Sequence, residues 1–189
     1  MKHQIIYLNG ATSAGKTTLG RALQKALPEP FLLIGIDTVI DMMPPKFNDW
    51  FQGTDVPGFS IQPVRDQYGT IKMYKVHSGP YGKKMVQALI AMVIALAQRE
   101  NNIIIDDVSF GKEEVDVWRA ALKDFKVLWV GLTAPVEILE QREQERRDRM
   151  TGLAKWQEER VHQGVIYDIM LDTHEHRISE NVETVIAAL

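Results

Sequence analysis

Gly10-Ala11-Thr12-Ser13-Ala14-Gly15-Lys16-Thr17 fits the pattern G-x-x-x-x-G-K-[ST]. A loop of this kind wraps its main chain so that successive N–H groups point inward and meet phosphate oxygens, and its glycines supply the backbone freedom required. Lys16 is expected to reach the β- and γ-phosphates of ATP, and the Thr17 hydroxyl to ligate Mg²⁺. The pattern has meaning only between a strand and a helix. Ile5-Ile6-Tyr7-Leu8-Asn9 supplies the strand, and a segment of helical period from Lys16 to Ala26, with Thr18 in its first turn, supplies the helix and its positive N-terminal end.

Three further groups belong to the same chemistry. Ile103-Ile104-Ile105-Asp106-Asp107 is an apolar strand ending in acid, the position from which a carboxylate holds Mg²⁺ in nucleotide-binding folds. Adjacent strand residues point to opposite faces, so one of Asp106 and Asp107 faces the metal, and position favours Asp106. Asp37 lies just beyond a second strand, Phe31–Ile36, at the carboxyl edge where open α/β sheets bind ligands. There it would take the proton of an acceptor hydroxyl placed in line with the γ-phosphate. It would equally serve as the N-cap of a helix starting at Thr38, and Asp41 lies in the same area. Arg142 and Arg146 share a helix face, and Arg149 follows. On a lid spanning 142–153 these arginines would close over ATP and stabilise the charge in transfer, while Arg147 points elsewhere.

These residues need a scaffold. Strands are expected at Ile5–Asn9, Phe31–Ile36, Ile103–Asp107, Val127–Leu132 and Tyr167–Leu171. Helices are expected at Lys16–Ala26, Tyr81–Arg99, Lys112–Asp124, Pro135–Arg147, Leu153–His162 and Ser179–Ala188. Alternation of the two defines an α/β fold with a parallel sheet. Residues 43–80 break it. With Pro44, Pro45, Pro57, Pro63 and Pro80 they read as a long loop. It is either a surface excursion whose aromatics pack on the sheet edge or a substrate-side flap lined by Trp50, Phe51 and Phe59, with Lys46, Arg65 and Lys72 available to an anionic substrate. His174-Glu175-His176 has no third ligand and reads as a polar turn.

The chain has 189 residues, which suits one domain over 1–189. It carries 22 Lys and Arg against 25 Asp and Glu, a net charge of −3, which argues against nucleic acid as partner. There is no cysteine, so disulfides and thiolate metal sites are excluded. The Met85–Ala97 stretch falls short of the roughly 20 apolar residues of a membrane span, and the first residues carry no secretory pattern. A cytoplasmic location is expected; the oligomeric state is not legible.

The sequence resembles the chloramphenicol phosphotransferases along nearly its whole length. The likeness rests on Leu8-Asn9-Gly10 with Ser13-Ala14-Gly15-Lys16, Leu27-Pro28-Glu29-Pro30, Gly35-Ile36-Asp37, Met43-Pro44, Ile103 to Val108, Leu128-Trp129-Val130-Gly131, and His162-Gln163-Gly164-Val165-Ile166-Tyr167-Asp168. The resemblance implies a P-loop, adenylate-kinase-like α/β fold with a five-stranded parallel sheet. It also implies Asp37 as the base acting on the primary hydroxyl of chloramphenicol, and the arginine segment as the cover of the nucleotide. Residues 43–80 are longer and more aromatic than the resemblance implies. A small-molecule alcohol is therefore the expected acceptor, chloramphenicol-like. The alternatives are another metabolite, such as a nucleoside, sugar nucleotide or sugar acid, and an ATP-dependent regulatory module with no acceptor.

Overall fold

The computed structural model describes residues 4–145 and 152–189. In chain order its elements are β1 (Ile5–Asn9), α1 (Lys16–Ala26), β2 (Phe31–Gly35), α2 (Ile36–Asp41), a 3₁₀ turn (Pro45–Phe47), β3 (Phe59–Arg65), β4 (Ile71–Ser78), α3 (Pro80–Gln98), β5 (Asn102–Asp107), α4 (Gly111–Ala121), β6 (Val127–Thr133), α5 (Val136–Glu145), α6 (Leu153–Val161), β7 (Ile169–Asp172) and α7 (Ile178–Ala187). Five of the strands form one parallel sheet in the order β2-β5-β1-β6-β7. The α/β class and the five-stranded parallel sheet are those expected.

Continuous apolar runs make the middle of this sheet because helices cover both its faces. Ile6, Leu8, Ile104, Val130 and Leu132 pack on one side with Leu19 and Leu23 of α1 and Val185 of α7. Ile5, Tyr7, Ile103 and Ile105 pack on the other with Leu89 and Val93 of α3 and Trp118 of α4. The period of two along β1 divides its residues between the two layers. Each large side chain fully buried in this way contributes about 1.5–3 kcal/mol. The consequence for function is position: β1 is central, so the loop leaving Asn9 opens at the middle of the carboxyl edge. The ends of β2 and β7 lie two strands away on either side.

Two segments differ from expectation. The Phe31–Ile36 strand stops at Gly35, and the chain turns directly into α2. Gly35 is in register with Asp106, and a Cβ there would lie 2.1 Å from the Asp106 carbonyl oxygen. Only glycine lets β2 end against β5 so closely. Within residues 43–80, the expected loop contains an antiparallel hairpin, β3–β4. Asp66 Oδ1 closes its turn by accepting the N–H groups of Tyr68 and Thr70. Pro63 faces Tyr74 in the ladder, tolerated because a two-stranded ribbon has only edge strands. The outer edge of β3 is used by Asp49, whose N–H donates to the Phe59 carbonyl at 2.8 Å. On the other edge the Tyr74 N–H donates to Gly152 O at 3.2 Å, so the hairpin leans on the start of α6. Among the described residues, no helix is long and apolar enough to cross a membrane.

Candidate functional site

The loop between β1 and α1 is shaped by two residues in left-handed backbone, Ser13 with φ 62° and Gly15 with φ 91°. Gly15 is the last residue before α1, and this conformation turns the adjoining N–H groups into the loop. Gly10 is fixed by close approach: a Cβ there would meet Leu132 O at 2.4 Å. Lys16 is nearly buried, 7% exposed, and its Nζ donates to Gly10 O and Ala11 O, each at 2.8 Å. The ammonium therefore lies across the Gly10–Thr12 arm of the loop.

Thr17 Oγ1 donates to Asp106 Oδ2 at 2.5 Å. A hydroxyl and a carboxylate oxygen brought together beside a phosphate loop are the hard oxygen donors that Mg²⁺ takes, so Thr17 and Asp106 fit the ion. Asp107 is turned elsewhere. Its Oδ2 accepts hydrogen bonds from Tyr7 Oη at 2.9 Å, Ser109 Oγ at 2.6 Å and Trp118 Nε1 at 2.8 Å. These partners lie in the layer under α3 and α4, on the other side of the sheet from Asp106, because successive strand residues alternate. Burial and the Asp107 charge push the Tyr7 hydroxyl well above the usual phenol range. Asp107 is thus an internal acceptor, on the opposite face of the strand from the Thr17 contact.

Asp37 sits in the first turn of α2, two residues beyond Gly35, and is exposed at the carboxyl edge. The N-cap is Gly35, not Asp37, and Gly35 N–H donates to Thr38 Oγ1 at 3.2 Å. Since Gly35 pairs with Asp106 and Asp106 with Leu8, Asp37 stands on the β2 flank of the phosphate loop. Asp41 closes the same short helix.

Arg142 is expected over the transferring phosphoryl group, and the structure places it on the opposite flank. Its Nη1 donates to Thr173 Oγ1 at 2.9 Å and to Ser13 O at 3.4 Å, and its Nη2 to Thr173 O at 2.9 Å. Thr173 follows β7, two strands from β1 on the side away from Asp37. With Gly15, Thr18, His176, Ile178 and Asn181, Arg142 borders a cavity of 360 Å³. The cavity adjoins the α1 end of the loop. Arg146 and Arg149 lie outside the described residues, as does Arg147.

Several residues at the site were not singled out in the sequence as site residues. Gln157 of α6, 3% exposed, accepts the Thr12 N–H through Oε1 at 2.6 Å. Glu158 Oε1 accepts from Thr133 Oγ1 at 2.5 Å, and burial raises its carboxyl above the usual range. His162 Nε2 lies 3.2 Å from Leu132 O and Nδ1 lies 3.1 Å from Tyr167 Oη. A carbonyl can only accept, so Nε2 carries the proton and Nδ1 accepts from the phenol. Burial lowers the imidazole below its usual range and raises Tyr167 to about 12. Asn9 Nδ2 completes the group, donating to Tyr167 Oη at 2.9 Å and Val161 O at 3.2 Å. Glu143, fully buried, accepts the N–H groups of Gly152 at 2.6 Å and Ala154 at 3.0 Å, which anchors the start of α6 to α5. One signal was available: Leu153, Ala154, Gln157 and Val161 form a helical stripe whose third member is polar.

Comparison with known proteins bears on this arrangement. Residues 3–189 match the family model described as chloramphenicol phosphotransferase-like protein. A Mycobacterium tuberculosis protein named "Putative O-phosphotransferase" is 31% identical over 180 residues, covering 90% of this chain and 75% of that one. Among solved structures, the Mycobacterium tuberculosis APS kinase in complex with AMPPNP and APS superposes with a TM-score of 0.65 at 11% identity, over 98% of this chain and 96% of that one. The tunicamycin resistance protein of Deinococcus radiodurans gives 0.64 at 16% identity, over 98% and 95%. These likenesses carry the fold. With the family match along almost the entire sequence, the chain belongs to the chloramphenicol phosphotransferase-like family and is a phosphotransferase.

Proposed function

We propose that this protein transfers the γ-phosphoryl group of ATP to a hydroxyl of a small, uncharged alcohol, chloramphenicol or a compound like it. The observation that carries the reading is the Thr17–Asp106 contact at the mouth of the loop, one strand from the β2 end that bears Asp37. Main-chain N–H groups from Ser13 to Thr18 would grip the phosphates, and Lys16 would neutralise the β and γ groups. Thr17 and Asp106 would hold Mg²⁺, which supplies charge neutralisation when bound. Asp37 would accept the proton of the acceptor hydroxyl as its oxygen bonds to the γ-phosphorus. The bond from that phosphorus to the β–γ bridging oxygen breaks, and ADP leaves. Arg142 would hold the nucleoside end rather than the phosphoryl in flight.

Three cations of residues 43–80 have partners within that segment, which favours an uncharged acceptor. Arg65 Nη1 donates to Gly69 O at 2.8 Å, Lys72 pairs with Asp66 at 3.3 Å, and Lys46 lies over the Phe47 ring at 5.6 Å. Phe59 is buried at the base of the hairpin, 3% exposed. Phe51 borders a cavity of 170 Å³ with Ile61, Pro63 and Tyr74, which Arg65 also lines.

The test is ADP release with ATP and Mg²⁺, in the presence of chloramphenicol, nucleosides or sugar acids, with the product weighed by mass spectrometry. Chloramphenicol should stimulate release and gain one phosphate. Stimulation by a sugar acid alone would assign a different acceptor, and ADP release indifferent to every alcohol would favour a regulatory module.

A further inference from the structure

The carboxamide of Gln157 touches the phosphate loop from outside the motif. Thr12 N–H is one of the main-chain donors the loop could offer a phosphate, yet it is directed at Gln157 Oε1, 2.6 Å away. A backbone N–H can only donate, so the oxygen of the carboxamide must face it. Gln157 is 3% exposed, and its helix is fixed to the sheet on several sides. Val161 O accepts from Asn9 at 3.2 Å, Thr133 bonds Glu158 at 2.5 Å, and His162 lies 3.2 Å from Leu132 O. Those three contacts reach the ends of β1 and β6, the strands that flank the start of the loop. The oxygen of Gln157 is therefore held by the scaffold.

The arm it holds is a particular one. Lys16 Nζ rests on Gly10 O and Ala11 O, and a lysine at this position serves the β- and γ-phosphates. The Gly10–Thr12 arm would thus border the terminal phosphate, whereas Gly15 and Thr18 border the 360 Å³ cavity beside Arg142. We propose that Gln157 is a positioning residue that sets the preference of the site for nucleoside triphosphate over diphosphate, by fixing Thr12 beside the γ-phosphate. The proposal deepens the kinase reading and rests on it, since it takes the loop to be a phosphate cradle.

Calorimetric titration of wild type, Q157M and Q157N with AMPPNP and with ADP, both with Mg²⁺, tests it without any acceptor. Methionine keeps the volume without the acceptor atom, and asparagine keeps the amide but falls short. Loss of one well-placed hydrogen bond should weaken AMPPNP about tenfold, with ADP changed by less than about twofold. Equal weakening of both nucleotides, no change, or tighter AMPPNP would overturn the proposal. Should both variants fail to fold, amide exchange on wild type decides. Thr12 N–H should be protected without nucleotide, and an unprotected Thr12 would refute the tie. Wild type that binds both nucleotides but phosphorylates no acceptor would sink the kinase reading while leaving the AMPPNP-to-ADP ratio to judge Gln157.

Discussion

Thr17 Oγ1 and Asp106 Oδ2 are 2.5 Å apart, joining the first turn of α1 to the end of β5. Both are hard oxygen donors of the kind that Mg²⁺ takes. Together they would hold the ion beside the phosphate loop, where it would neutralise phosphate charge. Thr17→Val, which keeps the shape and loses the oxygen, should lower ATP-dependent turnover on the order of a hundredfold. A Mg²⁺ titration of ADP release should also show a raised requirement for the ion. A variant with wild-type Mg²⁺ dependence would remove Thr17 from the metal site.

Asp107 gives the opposite expectation from its neighbour in sequence. Its carboxylate takes three hydrogen bonds, from Tyr7, Ser109 and Trp118, in a layer closed to solvent. Asp107→Ala strands those donors, at a cost of roughly 3 kcal/mol. In a chain of this size that is a fall of roughly 6–12 °C in Tm. Thermal unfolding measures it. A variant as stable as wild type but dead in phosphoryl transfer would return Asp107 to the metal.

The split between these two aspartates shows how far the sequence could be read. The alternation of a strand guaranteed that only one faced the loop, and nothing in the residues themselves said which. The β1, α1 and β5 elements were legible because burial on both sheet faces leaves long apolar runs and helical periods. The β3–β4 hairpin was not, because Pro57 and Pro63 read as breakers. Yet Phe59, Ile61 and Pro63 alternate with Ser60, Gln62 and Val64, and only pairing with β4 reveals it. Gln157 and His162 were hidden for another reason. A polar residue in a buried stripe announces a partner, but that partner lies on a strand or loop far away in sequence.

Asp37 stands on the β2 flank of the loop, while Arg142 is tied to Thr173 on the β7 flank. Substitution should therefore separate transfer from nucleotide binding. Asp37→Asn removes the proton acceptor and should lower acceptor-dependent kcat by about 10²–10⁴ with AMPPNP affinity unchanged. Arg142→Gln should weaken AMPPNP instead, by about tenfold. Steady-state kinetics beside binding titration separates the two. Full turnover in Asp37→Asn would end its assignment as base.

His162 supplies a test by pH. Burial outweighs its contact with the Leu132 carbonyl and holds the imidazole below its usual range, with the Lys16 charge acting in the same direction. A base with a lowered pKa in the folded state is charged first in the unfolded state. Its contribution to stability is complete above about pH 6.5, the unfolded value, and is lost as pH falls toward the folded value. Glu158, 3.9 Å from the ring, opposes this. Burial raises its carboxyl, so above its unfolded value stability rises as pH falls and the group takes up its proton. The Tyr167 hydroxyl, raised to about 12, takes no part in this range. Urea unfolding of wild type and His162→Asn between pH 5 and 8 isolates the histidine by difference. The two curves should run parallel above about pH 6.5 and diverge below it, with wild type losing more. A proton NMR titration of the His162 ring should give a midpoint below 6.5. A midpoint above that value, or parallel curves throughout, would mean that the ring is not held neutral by its place between Leu132 and Tyr167.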